Sequence, residues 1–183
     1  MAIDNLEGGV APVRPVVSRH PARAESTSPW LSFHDAQQTH LGSVHRFHLV
    51  ALGSLAAAAP ATRRALAAAG AAFSVDRPPP AAVSGWLLRI ACRILREESH
   101  GRPPSPRRRG RSAAAEMGAE VTTALAVAAQ LPDRERLAVA LRCGAGLGYP
   151  EIGGILGITE EAARMACRWA AWSIRDRAAK SAG

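Results

Sequence analysis

Arginine side chains at helical spacing are the groups of this chain best suited to chemistry. One set lies at i, i+4 and i+7, on one side of a helix, and consists of Arg89, Arg93 and Arg96. A second set lies near the C-terminus and consists of Arg164, Arg168 and Arg175. Guanidinium groups bind phosphate through paired hydrogen bonds. Both sets therefore indicate recognition of a polyanion, and a solvated basic face is the alternative.

The net charge of +8 also favours a polyanionic partner, either nucleic acid or an anionic membrane surface. Composition does not separate these two, and a charge that serves solubility is a third interpretation. Residues 1–30 mix Gly, Pro, Ser and single charges and do not resemble a signal peptide. No apolar run reaches the roughly 20 residues that a membrane span needs. We therefore expect a cytoplasmic protein without membrane insertion.

Metal and catalytic chemistry is not indicated. The histidines between His40 and His48 have no nearby cysteine or carboxylate to complete a ligand set. Cys92, Cys143 and Cys167 form no CxxC pair, and each is expected on an apolar helical face. No nucleophile–base pair or glycine-rich phosphate loop is present. The sequence predicts a protein that is not an enzyme and that uses no metal and no cofactor.

The elements that carry the arginines are predicted to be helices. Alanine, a strong helix former, dominates the apolar residues, and no stretch alternates like a strand. The predicted helices run over Phe33–Leu52, from Pro60 to Phe73, Ala82–Ser99, Ala114–Gln130, from Pro132 to the glycines of CGAGLGYP, Pro150–Leu156 and Thr159–Ala179. The fold class is therefore all-α.

A linker divides these helices into two small modules. The segment HGRPPSPRRRGRS combines prolines, glycines and clustered arginines, which exclude a helix and predict a flexible connection. The predicted organisation is a disordered tail over residues 1–30, a helical module over 31–99, the linker over 100–112 and a second helical module over 113–183.

The end of the second module has the pattern of a helix-turn-helix. A short helix from Pro150, a turn at Gly157 and Ile158, and a longer helix after Thr159 have the spacing of this unit. Gly153 is expected at a close helix crossing, whereas Gly154 has no evident role. A helix-turn-helix presents its second helix to the major groove of DNA.

The candidate DNA-binding residues lie on that second helix. Thr159 is a good N-cap, and Glu161 is favourable near the positive end of the helix dipole. We include both in the DNA-binding set with Arg164, Arg168 and Arg175.

The two sides of this last helix differ. One side is expected to be buried and carries Ala163, Cys167, Ala170 and Ile174. The opposite side carries Met165, Trp169 and Trp172. An exposed apolar stripe of this kind more often marks a surface that binds another protein. These three residues are the candidate partner-binding set.

The stretch LPDRERLAVALRCGAGLGYPEIGGILGITEEAARMACRWAAWSIR, residues 131–175, resembles region 4 of bacterial sigma factors. The spacing from LP through EI to LGI is that of the family. The resemblance is to sigma factors of the extracytoplasmic-function type, which form group IV of the sigma-70 family. It implies binding to the −35 promoter element and to the flap of core RNA polymerase, and an anti-sigma factor as a further candidate partner.

The segment WLLRIACRILREE, Trp86–Glu98, resembles part of region 2 of the same family. The resemblance implies that Arg89, Arg93 and Arg96 lie near the unpaired strand of the opened promoter. Region 2 is nevertheless divergent, because residues 51–75 contain no acid and carry Arg63 and Arg64 where the family has an acidic polymerase-binding run. Binding to core polymerase is therefore expected to be weakened or altered.

These features favour a transcription initiation factor that directs RNA polymerase to promoters. Two alternatives remain open. One is a divergent DNA-binding regulator that does not initiate transcription, and the other is a protein-interaction module whose helix-turn-helix no longer touches DNA.

Overall fold

The computed structural model describes residues 32–100 and 118–182, and over these two ranges it contains helices and no strand. The α-helices are α1 Phe33–Leu52, α2 Leu55–Phe73, α3 Val83–His100, α4 Ala119–Ala128, α5 Asp133–Val139, α6 Tyr149–Leu156 and α7 Glu160–Ala182. A short 3-10 turn, Pro80–Ala82, precedes α3, and a π-helical turn, Ala140–Gly144, follows α5. The all-α prediction is confirmed.

Helix α1 has the bounds that the sequence predicts, because both ends are capped. The Ser32 hydroxyl accepts a hydrogen bond from the Asp35 amide at 3.3 Å, and the Asp35 carboxylate accepts one from the Ser32 amide at 3.1 Å. This reciprocal pair satisfies two amides that a helix start leaves open. At the other end Gly53 adopts a left-handed conformation with φ 65°, which terminates the helix.

Helix α2 begins five residues earlier than predicted, so the placement of Pro60 at the helix start is wrong. Ser54 is extended, and its carbonyl oxygen accepts from the amides of Ala57 and Ala58, which starts the helix at Leu55. Pro60 therefore lies inside the helix, where its ring nitrogen donates no hydrogen bond. Buried alanines on both sides of it hold the helix against its neighbours.

Several predicted segments fall outside the described residues. They are the N-terminal tail, residues 101–112 of the linker and the first residues of the helix predicted from Ala114. The division of the chain into two modules at this linker therefore stays a prediction.

The two halves nevertheless pack directly against each other. One buried cluster contains large side chains of the first half, such as Phe47 and Leu88, together with Leu137 and Ile152 of the second half. Helix α1 packs on the π-helical turn, and α3 packs on α6. Burial of apolar surface drives such contacts. The described residues thus share a continuous core across the linker.

The contact between α1 and the π-helical turn depends on a glycine. A Cβ atom on Gly144 would lie 2.7 Å from the carbonyl oxygen of Arg46 and 2.8 Å from the Cα of Phe47. The absent side chain allows the two backbones to touch. Arg46 Nε also donates a hydrogen bond to the carbonyl oxygen of Gly144 at 3.1 Å.

A second polar link between the halves involves a buried arginine. Arg136 is 4% exposed and is paired with Asp133. Its Nη2 donates a hydrogen bond to the hydroxyl of Ser99, at the end of α3, at 3.2 Å. Removing a partner from a buried charge is costly, so this arrangement favours the packed state of the two halves.

The interior of the first half also holds a neutral histidine. His48 is fully buried, and its Nδ1 lies 2.9 Å from the carbonyl oxygen of Val44 and 3.2 Å from the hydroxyl of Thr62. Burial lowers the pKa of His48 from 6.5 to about 4, the effect of desolvation exceeding that of the backbone hydrogen bond.

None of the helices within residues 32–100 and 118–182 combines the length and apolar character required to traverse a lipid bilayer.

Candidate nucleic-acid interface

The helix-turn-helix contains backbone conformations that only certain residue types adopt readily. Helix α6 ends at Gly157, which has φ 71° and lets the chain turn sharply. Thr159 then caps α7, since its hydroxyl accepts a hydrogen bond from the Ala162 amide at 3.2 Å. The predicted positions of the turn and of the cap are confirmed.

The two adjacent glycines of α6 have different surroundings. A Cβ atom on Gly153 would lie 2.8 Å from the carbonyl oxygen of Ile158, so this position is a close crossing, as predicted. The amide of Ile158 donates to the carbonyl oxygen of Gly153 at 3.0 Å, which ties the turn to α6. Gly154 is exposed, and a Cβ there would meet nothing within 4 Å. Gly153 shapes the motif, whereas Gly154 has no packing role.

The inner face of α7 is the one that the sequence predicts. Ala163, Cys167 and Ala170 are buried, and Ile174 is half-buried. This face packs on α4, α5 and α6. Because the helix is anchored on this side, the opposite face is available to a ligand.

Arg164 is the most constrained of the candidate DNA-binding residues. Its guanidinium lies 2.7 Å from a Glu160 carboxylate oxygen and 3.6 Å from one of Glu161, and 5.4 Å from the centre of the Tyr149 ring. These contacts hold the side chain at the N-terminal end of α7 while leaving it 45% exposed. Glu161 therefore contacts Arg164 and orients it.

Arg168 and Arg175 are exposed and make no ion pair within the described part of the chain. They lie one and about three turns beyond Arg164 along the helix. A guanidinium without a carboxylate partner gives up no intramolecular contact when it binds phosphate. Both arginines can therefore bind phosphate without breaking an ion pair.

An apolar stripe runs along the exposed side of the same helix. Met165, Trp169 and Trp172 are 40%, 56% and 54% exposed, and we call them the tryptophan stripe. The two indole rings pack edge to face with centroids 5.5 Å apart. Their mutual packing fixes their orientation. The two side chains therefore lose less conformational entropy when a partner binds.

The arginines of α3 line an open groove between the two halves. Arg89, Arg93 and Arg96 form its wall with Glu97, Ile155 of α6 contributes the facing side, and the groove has a volume of about 400 Å³. Arg89 and Arg93 are exposed and Arg96 is half-buried. The Arg93–Glu97 ion pair is long, at 3.9 Å, and both side chains are mostly exposed, so it restrains Arg93 little.

Trp86, the first residue of the segment that resembles region 2, does not lie beside these arginines. Trp86 packs on the buried cluster and lies edge-on to Phe73, with ring centroids 6.0 Å apart. It is thus not part of the groove. The sequence located the arginines on one side of the helix but could not show which neighbours that side faces.

Two of the three cysteine thiols are buried. Burial raises the pKa of Cys92 to about 12 and also raises that of Cys167, so both thiols stay protonated. Cys143 is exposed, contrary to its expected position on an apolar face. Within residues 32–100 and 118–182, no three His, Cys, Asp or Glu side chains cluster as metal ligands would.

Sequence reasoning missed two residues that hold the interface in place. The buried Arg136 connects the halves at Ser99, and the exposed Arg46 connects them at Gly144. An arginine in the middle of LPDRERLAV is typical of a solvated helix face, and nothing in the sequence reveals that it is buried.

Residues 127–171 match the family model described as Sigma-70, region 4. The match covers α5, α6 and the first half of α7, about a quarter of the chain. It identifies this segment as a DNA-binding, sigma-factor-like region and supports a relationship of the chain to the sigma-70 family. No curated protein matches the chain.

Proposed function

We propose that the chain is a sigma-like transcription initiation factor that directs RNA polymerase to specific promoters. The observation that carries this proposal is the helix-turn-helix of α6 and α7 within the segment that matches sigma region 4. In such units the second helix enters the major groove and its N-terminal residues meet the bases. The protein performs no bond chemistry, and its role is to bring polymerase and promoter together.

The roles of the individual residues follow from their position on α7. Arg164 and Thr159 lie at the end that enters the groove, and Arg164 exchanges its carboxylate contacts for a base edge or phosphate. Arg168 binds the backbone or a guanine, and Arg175, near the far end, binds phosphate. Glu161 keeps Arg164 oriented until the duplex arrives.

The surface of the first half changes how the chain binds core polymerase. In α2, Arg63 and Arg64 are exposed, and Arg64 makes a bidentate ion pair with Glu98, at 2.8 Å and 3.1 Å. This surface offers cations and alanines in place of an acidic run. We propose that it binds core polymerase weakly and that the contact of the C-terminal half with the polymerase flap contributes most of the affinity.

Size-exclusion chromatography of the purified chain with core polymerase, followed by transcription from a promoter library, tests this function. Co-elution and transcripts that start at discrete sites are expected. Duplex binding without co-elution and without transcripts would instead favour a divergent DNA-binding regulator.

The tryptophan stripe favours a second candidate, a protein-interaction module. A free apolar surface of two tryptophans and a methionine is a common centre of protein interfaces. Its partner is either the polymerase flap or an anti-sigma factor. Trp172→Ala separates the readings, with Val121→Ala as the control because Val121 is 51% exposed on α4. Loss of partner binding with unchanged DNA affinity assigns the tryptophan stripe to protein binding, and absence of DNA binding by the unaltered chain then favours the interaction module.

A further inference from the structure

We infer that Arg89, Arg93 and Arg96, here called the α3 arginine row, bind the phosphates of the same DNA duplex whose major groove receives α7. The interface would then be continuous across the two halves of the chain. This inference rests on the proposed DNA-binding function and assigns the row a ligand different from the unpaired promoter strand.

The chemistry of the groove fits a duplex backbone better than a single strand. Proteins that hold single strands combine cations with aromatic rings on which bases stack. Among the described residues, the groove is lined by the three arginines, Glu97 and Ile155, and none of these is aromatic. The nearby Trp86 is turned into the buried cluster and packs on Phe73. This described lining therefore provides cations for phosphates and no ring on which a base could stack.

The length of the row also matches a phosphate backbone. From the first to the last arginine the helix advances about 10 Å, at 1.5 Å per residue. One strand of a duplex carries a phosphate about every 3.4 Å of its axis, and because the strand winds around that axis, consecutive phosphates lie farther apart than this along the strand. A row of this length can therefore contact more than one phosphate of a strand.

The position of the row ties it to the helix-turn-helix. Ile155, on the opposite side of the groove, belongs to α6, the first helix of the unit. In a helix-turn-helix this first helix crosses the DNA backbone while the second lies in the groove. A basic row beside α6 is therefore next to the path of the backbone.

The packing between the halves keeps the row in that position. The backbones of Gly144 and Phe47 touch, Arg46 donates to the Gly144 carbonyl, and Arg136 bonds to Ser99 at the end of α3. Helix α3 itself packs on α6. These contacts hold the row and α7 in a fixed relation, so a single duplex can meet both.

The salt dependence of DNA binding tests the inference on the full chain. The probes are a short duplex that the unaltered chain selects from a random-sequence pool, and one of its single strands. Each phosphate contact contributes about 0.9 to the slope of log K against log salt for a duplex. Arg93→Gln should lower the duplex slope by about one and weaken binding at low salt, without changing binding of the single strand.

Two further variants separate the possible outcomes. Arg63→Gln removes the same charge from an exposed position on α2 and should leave the slope unchanged, which controls for net charge. Arg168→Gln removes a contact of α7 and should lower the slope. Thermal unfolding of all three variants checks that each is folded.

Each result decides a different claim. An unchanged duplex slope in Arg93→Gln, with a lowered slope in Arg168→Gln, overturns the inference and leaves the proposed function intact. A selective loss of single-strand binding in Arg93→Gln also overturns it, and returns the row to the unpaired strand. Absence of duplex binding by the unaltered chain removes the proposed function itself.

Discussion

The two halves of the chain differ in how their function depends on sequence. In the C-terminal half the turn at Gly157, the crossing at Gly153 and the cap at Thr159 each require a particular residue type. In α2 of the first half most buried positions are alanines, such as Ala61 and Ala65, where the only requirement is a small side chain. A helix-turn-helix is therefore recognisable from a few backbone constraints, whereas the surface of α2 has no comparable constraint.

The largest expected effect concerns the contact between the halves. Gly144→Ala forces a Cβ atom to within 2.7 Å of the Arg46 carbonyl oxygen, so the backbones must separate. Overpacking of this kind costs about 1–3 kcal/mol, and we expect the upper part of that range because backbone cannot rotate away. Chemical denaturation measures the loss.

The control for this variant is Gly85→Ala in α3, where a Cβ would meet nothing within 4 Å. It should leave stability unchanged or raise it slightly. Equal stabilities of the two variants would mean that the packing of the halves does not depend on this contact.

The second prediction concerns how the free energy of unfolding depends on pH in acid. His48, in the first half, should contribute most of this dependence. Burial lowers the pKa of His48 from 6.5 to about 4, so the folded chain keeps it neutral where the unfolded chain takes up a proton. The free energy of unfolding is unaffected above pH about 6.5, falls as the pH drops towards about 4, and is then constant with respect to this group. Each pKa unit corresponds to about 1.4 kcal/mol, so the total is a few kcal/mol.

His48→Gln should flatten this part of the pH dependence. Denaturation curves of both proteins between pH 4 and 7 provide the measurement. If the variant keeps the full decline, the acid sensitivity belongs to another group and His48 is not the cause.

The smallest expected effect distinguishes the adjacent glycines of α6. Gly154→Ala replaces an exposed helical glycine that has open space around it, and it should stabilise the chain by about 1 kcal/mol. Gly153→Ala should destabilise it, because its Cβ would meet the Ile158 carbonyl oxygen. Thermal unfolding compares the pair, and a gain in stability for both variants would contradict the close crossing.

The sequence was sufficient for most of the fold and for the motif. Helix periodicity and caps placed α1, α3 and α6 to within a residue or so, since these signals are local. Pro60 misled the prediction of α2, because proline suits a first turn and yet Ser54 starts the helix earlier.

Long-range contacts could not be predicted in the same way. Gly144 reads as a helix stop in the sequence, and only the fold shows that it lies against Phe47. The spacing of Arg89 and Arg93 in the sequence predicted the α3 arginine row. Its neighbour Ile155, however, is 62 residues beyond Arg93 in the chain. Side-chain chemistry was therefore predictable, whereas the surface it faces depended on tertiary packing.

The central claim is that α7 binds a DNA duplex through its exposed arginines. Duplex binding by the full chain, compared between Arg168→Ala and Arg63→Ala at several salt concentrations, tests it most directly. Arg168→Ala should weaken binding about tenfold or more, consistent with a contact of about 1–3 kcal/mol, whereas Arg63→Ala should have little effect. Equal affinities of these two variants would contradict the assignment of α7 to DNA.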